Sequence, residues 1–151
     1  MSSVCYQLHN IQFYYAQQLA LSLENLSIAD GKMTALLGDN GSGKSTLLNI
    51  LAFLNVVDSG ELVYKSQPVK ASKLINLRRR VGLLPQKPFM LKGTVYDNIN
   101  LGLTLQGKKQ RTQKIKQVLQ RLDITAIAKQ QANLLSGGQL QKVALARILV
   151  L

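Results

Sequence analysis

Apolar and polar positions change period several times along the chain, and the changes mark its elements. Residues 5–8 and 11–15 are short runs rich in β-branched and aromatic side chains, and Leu21, Leu23, Leu26 and Ile28 alternate loosely over 21–29. Each run predicts a strand. Asp30-Gly31 predicts a turn. The run Thr34-Ala35-Leu36-Leu37 is apolar without alternation, the pattern of a strand buried on both faces, and residues 81–84, stopped by Pro85, repeat it. From Lys44 to about Leu54 the period becomes helical, with Leu47, Leu48, Leu51 and Leu54 expected on the buried face. Asp58-Ser59-Gly60 predicts a turn before a strand over 61–64, and short helices are expected over 74–80 and 95–103. After a break at Gln106-Gly107, residues 109–122 form the strongest amphipathic pattern. Ile115, Val118, Leu119 and Leu122 share one face, and Lys114, Lys116 and Arg121 the other. A last helix is expected from Gln139 to at least Leu149. Strands alternating with helices predict an α/β fold with a mainly parallel sheet, and the strand-rich start predicts an antiparallel part added to it.

Composition narrows the class. The 151 residues are 46% hydrophobic and 17% charged, which suits one globular domain and excludes a disordered chain. The single Cys5 excludes an internal disulfide framework and a multi-thiolate metal site, and suits a reducing compartment. The longest apolar stretches are interrupted by Asn49, Asn55 and Arg147 and fall short of the ~20 residues of a membrane span. No basic and apolar leader follows Met1, so a soluble or peripheral chain is expected. The net charge is +12, and residues 65–121 carry 14 of the 19 basic residues against one acid, Asp97. Such a stretch suits nucleic acid or an anionic membrane, or else solvated helix faces whose acidic complement lies elsewhere. The second reading is favoured, because no aromatics for base stacking interleave the cations of 109–122. No specific nucleic-acid partner is expected.

Candidate chemistry begins at Gly38-Asp39-Asn40-Gly41-Ser42-Gly43-Lys44-Ser45, a full match to G-x-x-x-x-G-K-[ST]. A triphosphate is a row of anionic oxygens, and backbone N–H groups can close around it only where no Cβ intervenes. Gly38, Gly41 and Gly43 remove those atoms and permit positive φ. The helix that follows directs its N-terminal N–H groups at the anion. Lys44 adds a mobile cation, and the Ser45 hydroxyl is a ligand for Mg²⁺.

Leu135-Ser136-Gly137-Gly138-Gln139 opens the last helix and has two readings. Ser136 with Gln139 is a capping box. Alternatively, the Ser136 hydroxyl, the glycine N–H groups and the helix dipole make a second anion site.

Together these segments resemble the nucleotide-binding domain of ATP-binding-cassette (ABC) transporters, and the likeness runs nearly from end to end. Residues 38–46 match the Walker A loop. Gln86, after Val81-Gly82-Leu83-Leu84-Pro85, matches the Q-loop glutamine. Residues 135–139 match the signature pentapeptide, and 141–147 look like the signature helix. The resemblance implies a P-loop NTPase fold with an antiparallel β part. It also implies a helical subdomain at about 87–135, between Q-loop and signature. Gly38, Asn40, Gly41, Ser42, Gly43, Lys44, Ser45 and Thr46 would hold the phosphates of ATP. Tyr15 would stack on adenine, with Tyr14 as the alternative stacking residue and a core role for both tyrosines as a third possibility. Ser45 and Gln86 would approach Mg²⁺, and Lys44 and Gln86 would serve catalysis. Ser136 and Gly138 would face the γ-phosphate of ATP held by a second ATP-binding subunit, in a head-to-tail dimer. His9 matches no role.

Further implications concern partners. The family role is ATP hydrolysis coupled to transport at the cytoplasmic face of the membrane, with separate membrane-spanning permease subunits. Residues 86–89 and 94–99 look like the segment that receives a permease helix in importers. The resemblance leans towards oxyanion importers, of tungstate or phosphate. A soluble cassette acting on nucleic acid or ribosomes, and a non-catalytic fragment, are the competing readings. In the family a buried strand with an Asp for Mg²⁺ and a Glu for the attacking water follows the signature helix. Here no Asp or Glu follows Asp123. The chain is therefore read as truncated after the signature, with the C-terminal part of the fold and a central strand missing. These 151 residues alone are expected to be nearly inactive.

Overall fold

The alternating residues at the start of the chain build one long hairpin. In the computed structural model, which describes residues 3–108 and 111–151, the two strands expected at 5–8 and 11–15 are a single β1 (Val4–Tyr15). It pairs antiparallel with β2 (Gln18–Ala29), Leu8 opposite Leu26 and Phe13 opposite Leu21. β3 (Ser59–Tyr64) and the two-residue β4 (Gln67–Pro68) complete a sheet of order β2-β1-β3-β4. The inward residues of β1 are Leu8, then Ile11 and Phe13. That change from even to odd positions requires an extra residue, and the β1–β3 register slips between His9 and Gln12. Asn10, at φ 49°, is the bend.

The chain divides into two compact units, Met1–Leu83 and Leu84–Leu151. In the first, Leu8, Ile11, Phe13, Leu21, Leu62 and Tyr64 of the sheet enclose Leu47, Ile50 and Phe53. Leu47 and Ile50 come from α1 (Lys44–Leu51). The buried face of this helix differs from the expected one: Leu48 and Leu54 are 44% and 51% exposed. The helix stops at Leu51, and Phe53 turns into the left-handed region at φ 61°. That turn sends Phe53 into the core where a longer helix would have sent Leu54. Tyr6 Oη donates to Leu51 O at 3.0 Å and Arg78 Nε to Phe53 O at 2.7 Å, satisfying carbonyls at the helix exit. A 3₁₀ turn (Ala71–Lys73) and α2 (Leu74–Arg78) follow, two residues shorter than expected.

The buried strands expected at 34–37 and 81–84 do not form. Both segments lack strand pairing, and Leu37 is 89% exposed. A strand needs lateral partners for its N–H and C=O groups, and β1 to β4 pair only with one another. The parallel ladder is thus absent among the described residues, whereas the antiparallel part and the helical part are both present.

In the second unit α3 (Val95–Leu105), α4 (Arg111–Arg121) and α5 (Gly137–Leu149) surround one core. Ile115, Val118 and Leu119 of α4 are buried there with Val95, Ile99, Leu103 and Val143. This is the stripe that the periodicity called for. Lys109, the expected first residue of α4, lies outside the described residues. Asn98, itself buried, accepts from Leu91 N at 2.8 Å and donates to Leu91 O and Thr94 O at 3.0 Å each. It ties the segment before α3 to the helix.

Candidate functional site

The first unit carries the phosphate-loop pattern on an exposed turn between residue 38 and the start of α1. Gly38, Gly41 and Gly43 have φ of 154°, 87° and 84°, so each glycine occupies backbone that side chains rarely adopt. Two of them also sit in close quarters. A Cβ on Gly38 would stand 2.9 Å from Ser42 Oγ, and one on Gly43 2.9 Å from Ala20 O of β2. Gly43 therefore lets the loop lie directly against the sheet. The Lys44 ammonium reaches back over the loop, donating to Gly38 O at 2.7 Å, Asp39 O at 2.5 Å and Ser42 Oγ at 3.4 Å. It draws the loop's carbonyls to one point.

No side chain caps α1, whose N-cap is Gly43. The first N–H groups of a helix lack intrahelical partners, and among the described residues no side chain caps them. Ser45 is exposed beside them and Thr46 is buried. Among the described residues no three His, Cys, Asp or Glu side chains gather to hold a metal ion. A divalent ion at Ser45 would thus draw most of its oxygen ligands from phosphate and water, which suits Mg²⁺.

The two candidate stacking tyrosines differ. Tyr14 Oη lies 3.5 Å from Gln12 Oε1 of its own strand. Tyr15 ends β1, is 52% exposed, and its hydroxyl accepts from Asn55 Nδ2 at 3.3 Å. That hydrogen bond is the first cause holding the Tyr15 phenol below its ordinary pKa. The hydroxyl of Tyr15, and not that of Tyr14, is thus tied to the segment just after α1. His9 is an exposed strand residue whose Nδ1 lies 2.8 Å from Asn25 Oδ1.

The second unit carries the remaining candidates. Gln86 lies at an exposed bend. Ser136 caps α5 with the full capping box: Gln139 N donates to Ser136 Oγ at 3.4 Å, and Ser136 N to Gln139 Oε1 at 2.9 Å. The local reading of this pentapeptide is therefore realised. It does not explain the glycines. A Cβ on Gly137 or Gly138 would meet nothing within 4 Å, and neither has a positive φ. Glycine is a weaker helix former than alanine, and nothing inside the described residues requires it at these two positions.

Sequence reasoning missed two features. Asn55 meets Tyr15 across forty positions of sequence, with no local pattern to signal the contact. Arg147 of α5 donates to Phe89 O at 2.8 Å and stands 5.6 Å over the Phe89 ring, which stays exposed. Among the described residues no helix is long and apolar enough to cross a membrane.

Comparison with known proteins places residues 21–151 in a family described as ABC transporter. The chain is 39% identical over 150 residues to the sulfate/thiosulfate import ATP-binding protein CysA of Yersinia pestis, covering 95% of this chain and 41% of that protein. It is 33% identical over 144 residues to the tungstate uptake system ATP-binding protein TupC of Peptoclostridium acidaminophilum, covering 94% and 65%. Among solved structures, cbiO1 of Clostridium perfringens, part of the ABC transporter complex cbiONQ, superposes with a TM-score of 0.84 at 26% identity, covering 98% and 62%. The dimeric ATP-binding cassette MJ0796, in a post-hydrolysis state bound to ADP and Pi, superposes with a TM-score of 0.83 at 28% identity, covering 96% and 69%. The chain therefore spans about two fifths of the sulfate-importer relative and about two thirds of the tungstate one.

Proposed function

The chain belongs to the ABC transporter family, and from that premise we propose that it is the ATP-binding part of an energy-coupling transporter subunit. The observation that carries the proposal is the phosphate loop. Three glycines at positive φ, a lysine gathering the loop's carbonyls and an uncapped α1 make a cradle for a row of anionic oxygens.

Gly38, Asn40, Gly41, Ser42, Gly43, Lys44, Ser45 and Thr46 form the phosphate-binding set, and Tyr15 receives the adenine. Its exposed ring and its tie to Asn55, just after α1, support that choice over Tyr14. When bound, Mg²⁺ supplies charge neutralisation at the phosphates. The Ser45 hydroxyl is its ligand from this loop, with Gln86 the second candidate. Lys44 stabilises charge on the transferred phosphoryl group, and Gln86 orients water.

Ser136 and Gly138 act on ATP held by a second ATP-binding subunit in a head-to-tail dimer. The open space at Gly137 and Gly138 supports this, since close approach by something outside the chain would account for glycine there. Residues 87–135 are proposed as the helical subdomain of a nucleotide-binding domain covering 1–151. Its exposed Phe89 is suited to contact a membrane-spanning permease subunit at the cytoplasmic face. The sulfate and tungstate relatives support an imported oxyanion as substrate. No specific nucleic acid is proposed as a partner.

Calorimetric titration of the chain with Mg-ATP tests the cradle. Lys44→Ala is expected to weaken binding at least about tenfold, or ~1.4 kcal/mol. Ser136→Ala is expected to leave it unchanged, because the phosphate it serves belongs to the other subunit. Equal affinity of wild type and Lys44→Ala would remove the phosphate-loop assignment.

A further inference from the structure

We propose that Asn55 is a positioning residue for nucleotide binding, holding the Tyr15 ring as a preset stacking platform through a hydrogen bond to its hydroxyl. The inference rests on the reading of Tyr15 as the residue that receives the base.

Two contacts act on Tyr15. At its far end, Asn55 Nδ2 donates to the hydroxyl at 3.3 Å. Along the ring, buried Phe13 packs edge to face, with centroids 4.9 Å apart and planes at 86°. One contact sets the position of the hydroxyl and the other the tilt of the ring. Over half of the residue's surface nonetheless remains open. An exposed tyrosine at the end of a hairpin would otherwise sample several rotamers, and a base stacking on it would have to order the ring. Asn55 removes part of that cost in advance.

Asn55 is itself held. Its backbone N–H donates to Asn49 O at 3.3 Å, wrapping the segment after α1 onto the last turn of the helix. The phenol's lowered pKa has the Asn55 hydrogen bond as its first cause. The mechanical consequence follows from α1. Its N-terminus is the phosphate loop, and its C-terminal side bears Asn55. The base platform and the phosphate cradle are thereby attached to one helix.

The test compares Mg-ATP with Mg-tripolyphosphate, which has the phosphates and no base, on the full 151-residue chain by calorimetric titration. Asn55→Ala is expected to weaken ATP about three- to tenfold, the scale of one side chain ordered on binding, and to leave tripolyphosphate unchanged. Tyr15→Phe removes the same hydrogen bond from the other end while keeping the ring, so it should match Asn55→Ala and stands in for it if that variant fails to fold. In a Tyr15→Ala background, Asn55→Ala should add nothing, the mark of two residues acting as one. The resonance of Tyr15 should titrate at higher pH in Asn55→Ala than in the wild type.

Two results overturn the positioning role. One is ATP affinity unchanged in Asn55→Ala and Tyr15→Phe although Tyr15→Ala weakens it. The other is an equal loss for tripolyphosphate, which would make Asn55 a structural support of the loop. If Tyr15→Ala leaves ATP affinity intact, the base-site reading itself falls.

Discussion

Gly60 and Gly31 show how differently one residue type can be required. Gly60 stands at φ 87° where β1 slips against β3, and a Cβ there would collide with the carbonyl oxygens of His9 and Asn10. Those carbonyls belong to a backbone held on both sides by strands, so neither can give way. Gly31, at φ 65° in a turn, has nothing within 4 Å of the same atom. Gly60→Ala should therefore cost about 2–4 kcal/mol, from left-handed strain plus overlap, and Gly31→Ala only about 1–2. Denaturant unfolding of the two variants checks the difference. Near-equal costs would mean that the β1–β3 slip relaxes to admit a side chain. Asp58-Ser59-Gly60 reads as a turn in the sequence, but β3 already begins at Ser59, and the collision that fixes Gly60 is not legible there, because His9 and Asn10 lie fifty positions away.

At the scale of the element, α3 depends on its N-terminal box. Thr94 Oγ1 accepts from Asp97 N at 3.1 Å, and the Asp97 carboxylate accepts from Thr94 N at 2.9 Å and Thr94 Oγ1 at 2.7 Å. These bonds hold the Asp97 carboxyl below its ordinary value, the Thr94 side chain being the first cause. A lowered folded pKa means the contribution is present above the unfolded value, about 3.9. It is lost as pH falls through the lower folded value. Protection of the first α3 amides against hydrogen exchange should accordingly fall across that acidic range in the wild type, and not in Asp97→Asn. The same fall in both proteins would assign the transition to other carboxylates. The box follows S/T-x-x-E/Q only loosely, with Asp in place of Glu, so the sequence pattern does not announce it. The pattern does announce α5, where Ser136 and Gln139 form the predicted box. The α4 stripe was legible because its apolar spacing admits one face, whereas for α1 the expected face was Leu47, Leu48, Leu51 and Leu54, and tertiary contacts buried Leu47 and Ile50.

For the whole chain the testable property is turnover. Phosphoryl transfer to water needs the phosphates held, their charge neutralised and a water oriented. The loop, Lys44 and Ser45 address the first two. In the family the water-activating glutamate follows the signature helix, no Asp or Glu lies between Ile124 and Leu151, and general-base help is typically worth ~10²–10⁴ in rate. These 151 residues alone should release phosphate from Mg-ATP at close to background. Adding the family's next segment in trans should raise the rate if the two associate. Steady turnover by the chain alone, abolished by Lys44→Ala, would show that the glutamate is dispensable here.

What this chain's sequence determined by itself is short-range chemistry. The spacing of Gly38, Gly41, Gly43 and Lys44, the cap at Ser136 and the stripe Ile115-Val118-Leu119 each act within one or two turns of backbone, so a local pattern suffices to specify them. Tertiary structure alone decided what depends on distant partners. It merged two expected strands into β1 through a slip against β3, chose Phe53 over Leu54 for the core, and set Asn55 against Tyr15. The runs at 34–37 and 81–84 mark the same boundary from the other side. Their apolar residues state a preference for burial in a sheet, but a strand exists only where neighbouring backbone answers its N–H and C=O groups, and none of β1 to β4 does so for either run.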